Sequence, residues 1–187
     1  MPSLSRTARV NFVVNGQVVA VEDGDTLTLR AASGDRFRIR MSDYDAPEVA
    51  HASNPYRDHN GDQRRRNCPR APPQARGQPG GEAAAASLRA LAPLHVQARA
   101  ECYESDGYGR FVCHVFVGTT NLNLEQLRRG WGMTASKSRW IRDPASRPVA
   151  QAARLAGVGI WAEPEPIVPA TWRNNCWCRA DCAGAAP

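Results

Sequence analysis

The chain has 187 residues, of which 42% are hydrophobic, and this is typical of one globular domain with a buried core. It contains no run of about eighteen apolar residues, so we expect no membrane-spanning helix. The net charge is +6 and every basic residue except Lys137 is arginine, which favours a polyanionic partner unless the bias only reflects a GC-rich coding sequence.

The first part of the chain contains three predicted β-strands. Segments rich in Val, Leu and Thr at 17–22 and 26–31 are separated by Asp-Gly-Asp, which predicts a hairpin. After a second turn, residues 36–41 alternate arginine with Phe, Ile and Met, which predicts a third strand with one charged face. This strand runs into the sequence DYDAPE at 43–48, where Pro47 ends it.

These strands predict a cluster of three carboxylates. Antiparallel pairing brings Asp25, in the first turn, near Asp45 and Glu48, at the end of the third strand. Clustered carboxylates repel one another, and a hard divalent cation with oxygen ligands is a common counter-charge. Taken singly, DGDT and DAPE are also what an ordinary turn and an ordinary strand end contain. Together with Arg40 they indicate a functional site.

In three motifs the chain resembles the staphylococcal (micrococcal) nuclease, or thermonuclease, family. The motifs are DGDT at 23–26, an arginine-containing strand that runs into DAPE at 45–48, and DGYGR at 106–110. They stand in the family's order, and the likeness covers about residues 18–172 with one interruption. The resemblance implies an α+β fold that is mainly β-barrel, a five-stranded oligonucleotide-binding (OB) barrel with about three helices. The residue pattern alone indicates only an α+β protein.

We divide the chain into three parts. These are an N-terminal extension at 1–16, a nuclease-like OB domain at 17–172 and a cysteine-containing C-terminal tail at 173–187. Within the domain, apolar periodicity predicts helices at 81–94, 121–130 and 145–157, and further strands at 96–104 and 111–117.

Residues 49–80 are polar and proline-rich, so we expect a long surface loop with about twenty residues inserted relative to the family. Its arginine run at 64–66 is either part of a basic flap that holds nucleic acid or part of a tolerated insertion. His51 and His59, which lie in this loop, are expected to be solvated rather than metal ligands.

The resemblance implies a calcium site. Asp25 and Asp45 match the family's calcium-binding carboxylates, and the main-chain carbonyl of Ala46 would be a third protein ligand. Asp23 would not contact the calcium ion but would help to hold these ligands in place. A calcium ion held by oxygen ligands can bind a phosphodiester oxygen and offset the charge that builds up at phosphorus.

The resemblance also implies catalytic and substrate-binding residues. Glu48 matches the residue usually assigned as general base, and Arg40 and Arg110 match two arginines that clamp the phosphate. Tyr108 would hydrogen-bond or stack near the phosphate. The implied reaction is hydrolysis of the 5′-O–P bond of DNA and RNA, which leaves 3′-phosphates. We expect the protein to act as a monomer.

A different class of function is a non-catalytic OB module that binds nucleic acid or protein. A degenerate module of this kind would be expected to lack several catalytic residues, whereas this chain retains those of the family, which favours the enzyme. One departure is that serine stands at 136 and 138, where the family's best-known member has two tyrosines beside the base. Trp140 could replace their stacking or could be a core residue.

The six cysteines allow several pairings. Cys102 and Cys113 lie at equal distances from a predicted turn, so they are either a cross-strand disulfide or two buried thiols. Zinc binding by Cys176, Cys178 and Cys182 in the tail is possible, but the spacing is weak and Cys68 lies far away. The even number favours a secreted or periplasmic location, whereas residues 1–10 show no apolar signal segment, so we expect no signal peptide there.

Overall fold

The computed structural model describes residues 9–58, 68, 70–135 and 140–183. This part of the chain contains eight short or medium-length strands and five α-helices. The strands are β1 (Phe12–Val21), β2 (Thr26–Ala31), β3 (Arg36–Met41), β4 (Tyr44–Asp45), β5 (Gln97–Ser105), β6 (Phe111–Val117), β7 (Thr120–Asn121) and β8 (Met133–Thr134). The helices are α1 (Pro55–Asp58), α2 (Gly81–Leu91), α3 (Leu122–Arg128), α4 (Ser146–Leu155) and α5 (Pro169–Trp172). A 3₁₀ turn (Gly159–Ala162) and a short π-helix (Arg173–Cys178) complete them.

Five strands close into a barrel. Strand β1 pairs antiparallel with β2 and with β5, β2 pairs with β3, and β5 pairs with β6. The barrel is closed by a parallel pairing of β3 with β6, from Ile39 opposite Phe111 to Met41 opposite Cys113. The predicted five-stranded, OB-like α+β barrel is therefore confirmed, and the closure leaves β3 without an open edge.

The barrel core is built from alternating positions of these strands. Leu27, Leu29, Ile39 and Met41 are at most 1% exposed, and Leu88 of α2 is also fully buried among them. Burying one such side chain contributes roughly 1.5 to 3 kcal/mol relative to leaving it exposed. The core therefore fixes which face of β2 and β3 points inward, and the arginines of β3 point the other way.

Three helices cover the barrel where the sequence predicts them. Helix α2 ends at Leu91, before Pro93 rather than at residue 94. Helix α3 begins after Asn121, whose side chain accepts hydrogen bonds from the main-chain nitrogens of Asn123 (3.0 Å) and Leu124 (3.3 Å). Helix α4 packs against α3.

Strand β1 begins earlier than the sequence indicates, at Phe12 rather than at residue 17. Its first half pairs with β5, with Phe12 opposite Cys102. The pair Asn15-Gly16 is typical of a turn, but here it continues the strand. Glycine is required because a Cβ at Gly16 would lie 2.5 Å from the Arg30 carbonyl oxygen on β2.

The described part of the loop at 49–80 packs on the C-terminal segment, which no motif or periodicity of the sequence predicts. We call residues 169–178, which comprise α5 and the π-helix, the C-terminal strap. Trp172, Cys176 and Trp177 of the strap bury against Ala75 of the loop in a second apolar cluster. The base of the loop is closed by two hydrogen bonds between the main chains of His51 and Ala75, at 2.8 and 3.2 Å. The strap is thus part of the folded body.

The structure corrects one expectation about this region and decides one alternative that the sequence left open. His51 is half-buried rather than solvated, with its ring edge-on to Trp177 at 5.5 Å, and burial lowers the pKa of its imidazole. The cysteines of the tail cannot hold zinc, because all six cysteines are paired: Cys68 with Cys178, Cys102 with Cys113, and Cys176 with Cys182. Of the two alternatives for Cys102 and Cys113, the cross-strand disulfide is confirmed.

Several predicted features lie outside the described residues: the arginine run at 64–66, His59, and the serines at 136 and 138. Trp140 is described and is 46% exposed, so it is not a core residue. No helix in the described part of the chain is long and apolar enough to cross a membrane.

Candidate active site

The predicted acidic turn and the end of the third strand meet at one rim of the barrel. In the pairing of β2 with β3, Thr26 lies opposite Arg40, and the main-chain nitrogen of Met41 donates to the Asp25 carbonyl at 2.7 Å. Gly24 allows this close approach, because a Cβ there would lie 2.7 Å from the Cβ atoms of both Ala46 and Ala84.

Asp25 is the most buried carboxylate of the site. Its Oδ2 accepts a hydrogen bond from the main-chain nitrogen of Ala46 at 2.7 Å, and its Oδ1 accepts one from the Thr26 hydroxyl at 3.1 Å. Asp23 accepts from the main-chain nitrogen of Asp25 at 2.9 Å, so it braces the turn rather than facing Asp45 directly. The structure therefore brings Asp25 and Ala46 into contact, with Asp23 behind them.

Arg40 joins the two carboxylates that the resemblance assigns to calcium. Its Nη1 lies 2.8 Å from Asp25 Oδ2, and its Nη2 lies 2.7 Å from Asp45 Oδ1. The guanidinium is largely buried, and the two carboxylates raise its pKa against the opposing effect of burial. Arg40 is therefore a fixed positive charge between Asp25 and Asp45.

The segment that carries Asp45 and Glu48 is held by Asp43. This residue has a left-handed backbone with φ 75°, and its carboxylate is buried. Hydrogen bonds at 2.8 Å reach it from the main-chain nitrogens of Arg142 and Asp143 and from the Ser146 hydroxyl, and His114 Nε2 lies at 3.0 Å. Burial alone would raise the pKa of Asp43, but these partners lower it below its ordinary value. The strand end is thus anchored to α4 and β6.

Arg110 reaches the same rim from the turn between β5 and β6. Asp106 in that turn accepts from the main-chain nitrogens of Tyr108 and Arg110, and its Oδ2 pairs with Arg110 Nε at 2.8 Å. Nη1 of Arg110 lies 3.4 Å from the Thr26 hydroxyl, next to Asp25. Tyr108 is 39% exposed, with its ring 5.8 Å from the Arg110 guanidinium. Arg110 thus lies beside the carboxylate cluster, while Tyr108 lies at the solvent-exposed side of it.

A third arginine, Arg173 of the C-terminal strap, completes the cluster. Its Nη2 lies 2.6 Å from Asp45 Oδ2 and its Nη1 lies 3.1 Å from Asp45 Oδ1, and Nη1 also pairs with Glu48 Oε1. The family's motifs do not cover Arg173, which follows directly after the resembling region of about residues 18–172. The even number of cysteines held one signal: if all six are paired and Cys102 pairs with Cys113, then Cys68 of the loop pairs with one cysteine of the tail, which links the tail to the loop that follows Glu48.

Burial and mutual repulsion set the protonation of these groups. Burial raises the pKa of Asp25 to about 7 and that of Glu48 to about 7, with neighbouring carboxylates adding to the effect. Burial would also raise the pKa of Asp45, but Arg40 and Arg173 outweigh it and hold that pKa below its usual value. The three carboxylates therefore differ in electrostatic environment although they lie in one cluster.

The donor chemistry of the site fits a hard cation. The predicted ligands are two carboxylates, of Asp25 and Asp45, and the carbonyl oxygen of Ala46, all of them oxygen donors of the kind that calcium prefers. In the described residues, no group of three or more His, Cys, Asp and Glu side chains is arranged to hold a metal ion. In the structure, the charges of both predicted carboxylate ligands are offset by arginine.

An OB-like barrel with arginines at one rim has the architecture of the OB-fold proteins, many of which bind oligonucleotides, and arginine is suited to contact phosphate. A sequence model of the family described as "Staphylococcal nuclease homologue" matches residues 38–163, which is more than half of the chain. The chain therefore belongs to the staphylococcal nuclease family. The matched region includes Arg40, Asp45, Glu48 and Arg110, and it begins after Asp25 and ends before Arg173.

Two curated relatives agree with this assignment to different extents. An "Uncharacterized endonuclease" of Haemophilus influenzae is 27% identical over 161 residues, which is 85% of this chain and 72% of the relative. An "Uncharacterized 38.1 kDa protein" of Capnoides sempervirens is 35% identical over 75 residues, 39% of this chain and 21% of the relative. The family and the first relative support nuclease activity.

Proposed function

We propose that the protein is a calcium-dependent nuclease that hydrolyses the 5′-O–P bond of DNA and RNA and leaves 3′-phosphate ends. The observation that carries the proposal is the convergence of three carboxylates at one rim of the barrel: Arg40 joins Asp25 to Asp45, and Arg173 joins Asp45 to Glu48. Their charges suit a phosphodiester, which needs positive groups at its oxygens and a carboxylate beside the attacking water.

In this proposal Asp25, Asp45 and the Ala46 carbonyl would hold a calcium ion. When bound, that ion would supply positive charge to a phosphodiester oxygen. Asp45 and Ala46 lie on the segment that Asp43 keeps in place, and Asp25 is joined to that segment by the hydrogen bond from the Ala46 nitrogen.

The chain's own residues would carry the rest of the reaction. Arg40 and Arg110 would bind the non-bridging oxygens of the phosphate and stabilise their growing charge. Glu48 would orient the attacking water and take its proton. The water oxygen bonds to phosphorus as the bond to the 5′-oxygen breaks, and the released 5′-oxygen gains a proton from solvent. Tyr108, at the exposed edge, would contact the neighbouring part of the substrate.

Digestion of a single-stranded DNA oligonucleotide and its RNA counterpart tests the proposal. Wild type with calcium should give fragments that end in 3′-phosphate, and a calcium chelator should abolish cleavage. Glu48→Gln and Arg110→Ala should each lose about 100-fold or more in kcat, as removal of one electrostatic group does in other enzymes. Glu82→Gln and Arg89→Ala on the exposed face of α2 are the matched controls and should cleave like wild type.

A folded wild type that binds the oligonucleotide without cleaving it would refute the enzyme and favour the non-catalytic binding module. Cleavage that persists in excess chelator would refute the calcium requirement. Products that end in 5′-phosphate would refute the assignment of the bond that is broken.

We further propose an oxidising location, secreted or periplasmic. Three disulfides with no free cysteine support it, because such pairs persist in oxidising compartments. Thiol labelling of protein trapped by acid from cells of the source organism would give no labelled cysteine, and full labelling would contradict it. Gel filtration tests the expected monomer.

A further inference from the structure

Arg173 links the two carboxylates that lie on either side of Pro47. Both of its terminal nitrogens contact Asp45, at 2.6 and 3.1 Å, and Nη1 also pairs with Glu48. A guanidinium is a rigid planar fork, so contact with both carboxylates fixes their distance and relative orientation. The Arg173 side chain is only 25% exposed, compared with 47% for Arg38 in the surface pair with Glu22.

The main chain that carries Arg173 is anchored on both sides. The indole nitrogens of Trp172 and Trp177 both donate to the carbonyl oxygen of Arg76, at 3.0 and 2.7 Å. The Asn54 side chain donates to the Trp177 carbonyl at 2.8 Å. The disulfide between Cys68 and Cys178 adds a covalent link from the strap to the loop that follows Glu48. The contact with the carboxylates is therefore built into the fold and is not a chance contact of a surface side chain.

The other arginines of the site do not duplicate this contact. Arg40 pairs with Asp25 and Asp45, and Arg110 pairs with Asp106 and approaches Thr26. The ion pair made by Glu48 in the described part of the chain is with Arg173. Without it, the negative charges of Asp45 and Asp25 would act on Glu48 with no paired arginine to oppose them.

We infer that Arg173 is a positioning residue of the nuclease site, which holds the Glu48 carboxylate toward the attacking water and keeps Asp45 at the rim. This inference rests on the proposed nuclease function. Arg173 acts through Glu48 and Asp45, so its loss lowers the rate of the chemical step more than it weakens substrate binding. The site is therefore completed by the strap, outside the region that defines the family.

The test compares Arg173→Ala and Arg173→Lys with Arg179→Ala, which removes the same charge from an exposed position next to the same π-helix. For each variant, kcat and KM are measured on a single-stranded DNA oligonucleotide with calcium, along with the thermal midpoint. We expect kcat of Arg173→Ala to fall about 100-fold with KM little changed, as for a displaced catalytic group. Arg179→Ala should match wild type. Arg173→Lys should be intermediate, because an ammonium lacks the fork that holds two carboxylates.

Rescue of kcat by free guanidinium distinguishes a positioning role of Arg173 from a purely structural one. Added at millimolar concentration, it should restore part of kcat in Arg173→Ala and leave Arg179→Ala unchanged. A wild-type or higher kcat in Arg173→Ala would overturn the inference. A higher value would mean that Arg173 blocks access of the substrate to the site.

If Arg173→Ala does not fold, Arg173→Lys decides, and a folded lysine variant with wild-type kcat overturns the inference. Failure of the proposed function appears separately, as wild-type protein that does not cleave.

Discussion

The disulfide between Cys68 and Cys178 should contribute more to stability than the one between Cys102 and Cys113. The first closes a loop with a sequence separation of 110 residues and the second one of 11 residues. In the chain-entropy description, these loops correspond to about 4.8 and about 2.8 kcal/mol of stability at 25 °C. The difference of about 2 kcal/mol is set by loop length, because all four cysteines are buried and their replacement by alanine removes similar packing.

Two double variants, Cys68→Ala with Cys178→Ala and Cys102→Ala with Cys113→Ala, test this. Urea unfolding is followed by far-ultraviolet circular dichroism and by tryptophan fluorescence, and coincident transitions justify a two-state free energy. The pair that closes the long loop should lower the free energy of unfolding more. An equal loss, or a larger loss for the short loop, would refute the argument from loop closure. Early loss of fluorescence alone would show that the strap opens locally before the barrel unfolds.

Three further stability predictions concern single residues. Asp43→Ala should cost about 3 kcal/mol or more, because several buried donors lose a charged acceptor; unfolding in urea measures it, and a loss below 1 kcal/mol would contradict it. Gly81→Ala should lower both the thermal midpoint and kcat, because its Cβ would lie 2.1 Å from the Glu48 carbonyl oxygen. In the control Gly107→Ala the added Cβ meets no atom within 4 Å, so both quantities should stay at the wild-type value. Arg38→Ala should change the free energy of unfolding by about 0 to 1 kcal/mol, because its ion pair is exposed; a larger loss in urea unfolding would show a role beyond the surface.

The barrel strands were predictable where local pattern and turn chemistry agree. Strands β2, β3 and β6 have the predicted bounds, because alternating side chains and flanking turns fix both their ends and their inward face. The convergence of Asp25 with the end of β3 followed from the same hairpin geometry. The first half of β1 was not predicted, and its close contact with the Arg30 carbonyl explains why a glycine stands inside the strand.

The strap could not be predicted from local pattern. Its short helical segments bury two tryptophans against the loop, and nothing in the periodicity of residues 169–178 says which surface they cover. Arg173 has no motif around it, and its role depends on a contact between distant parts of the chain. Local pattern determines strands well, whereas contacts of this kind are decided by tertiary packing.

The position of Arg173 has a consequence for the order of assembly during synthesis. Its pairs with Asp45 and Glu48 span 128 and 125 residues of sequence. Strands β1 to β6 precede the strap in the chain, so the ribosome makes every barrel strand before it makes Arg173. Asp45 and Glu48 can therefore gain the charge of Arg173 only after the barrel strands have been made, and the disulfide between Cys68 and Cys178 links the strap to the loop. We therefore expect closure of the barrel and pairing of Arg173 with the site to be separable steps of folding.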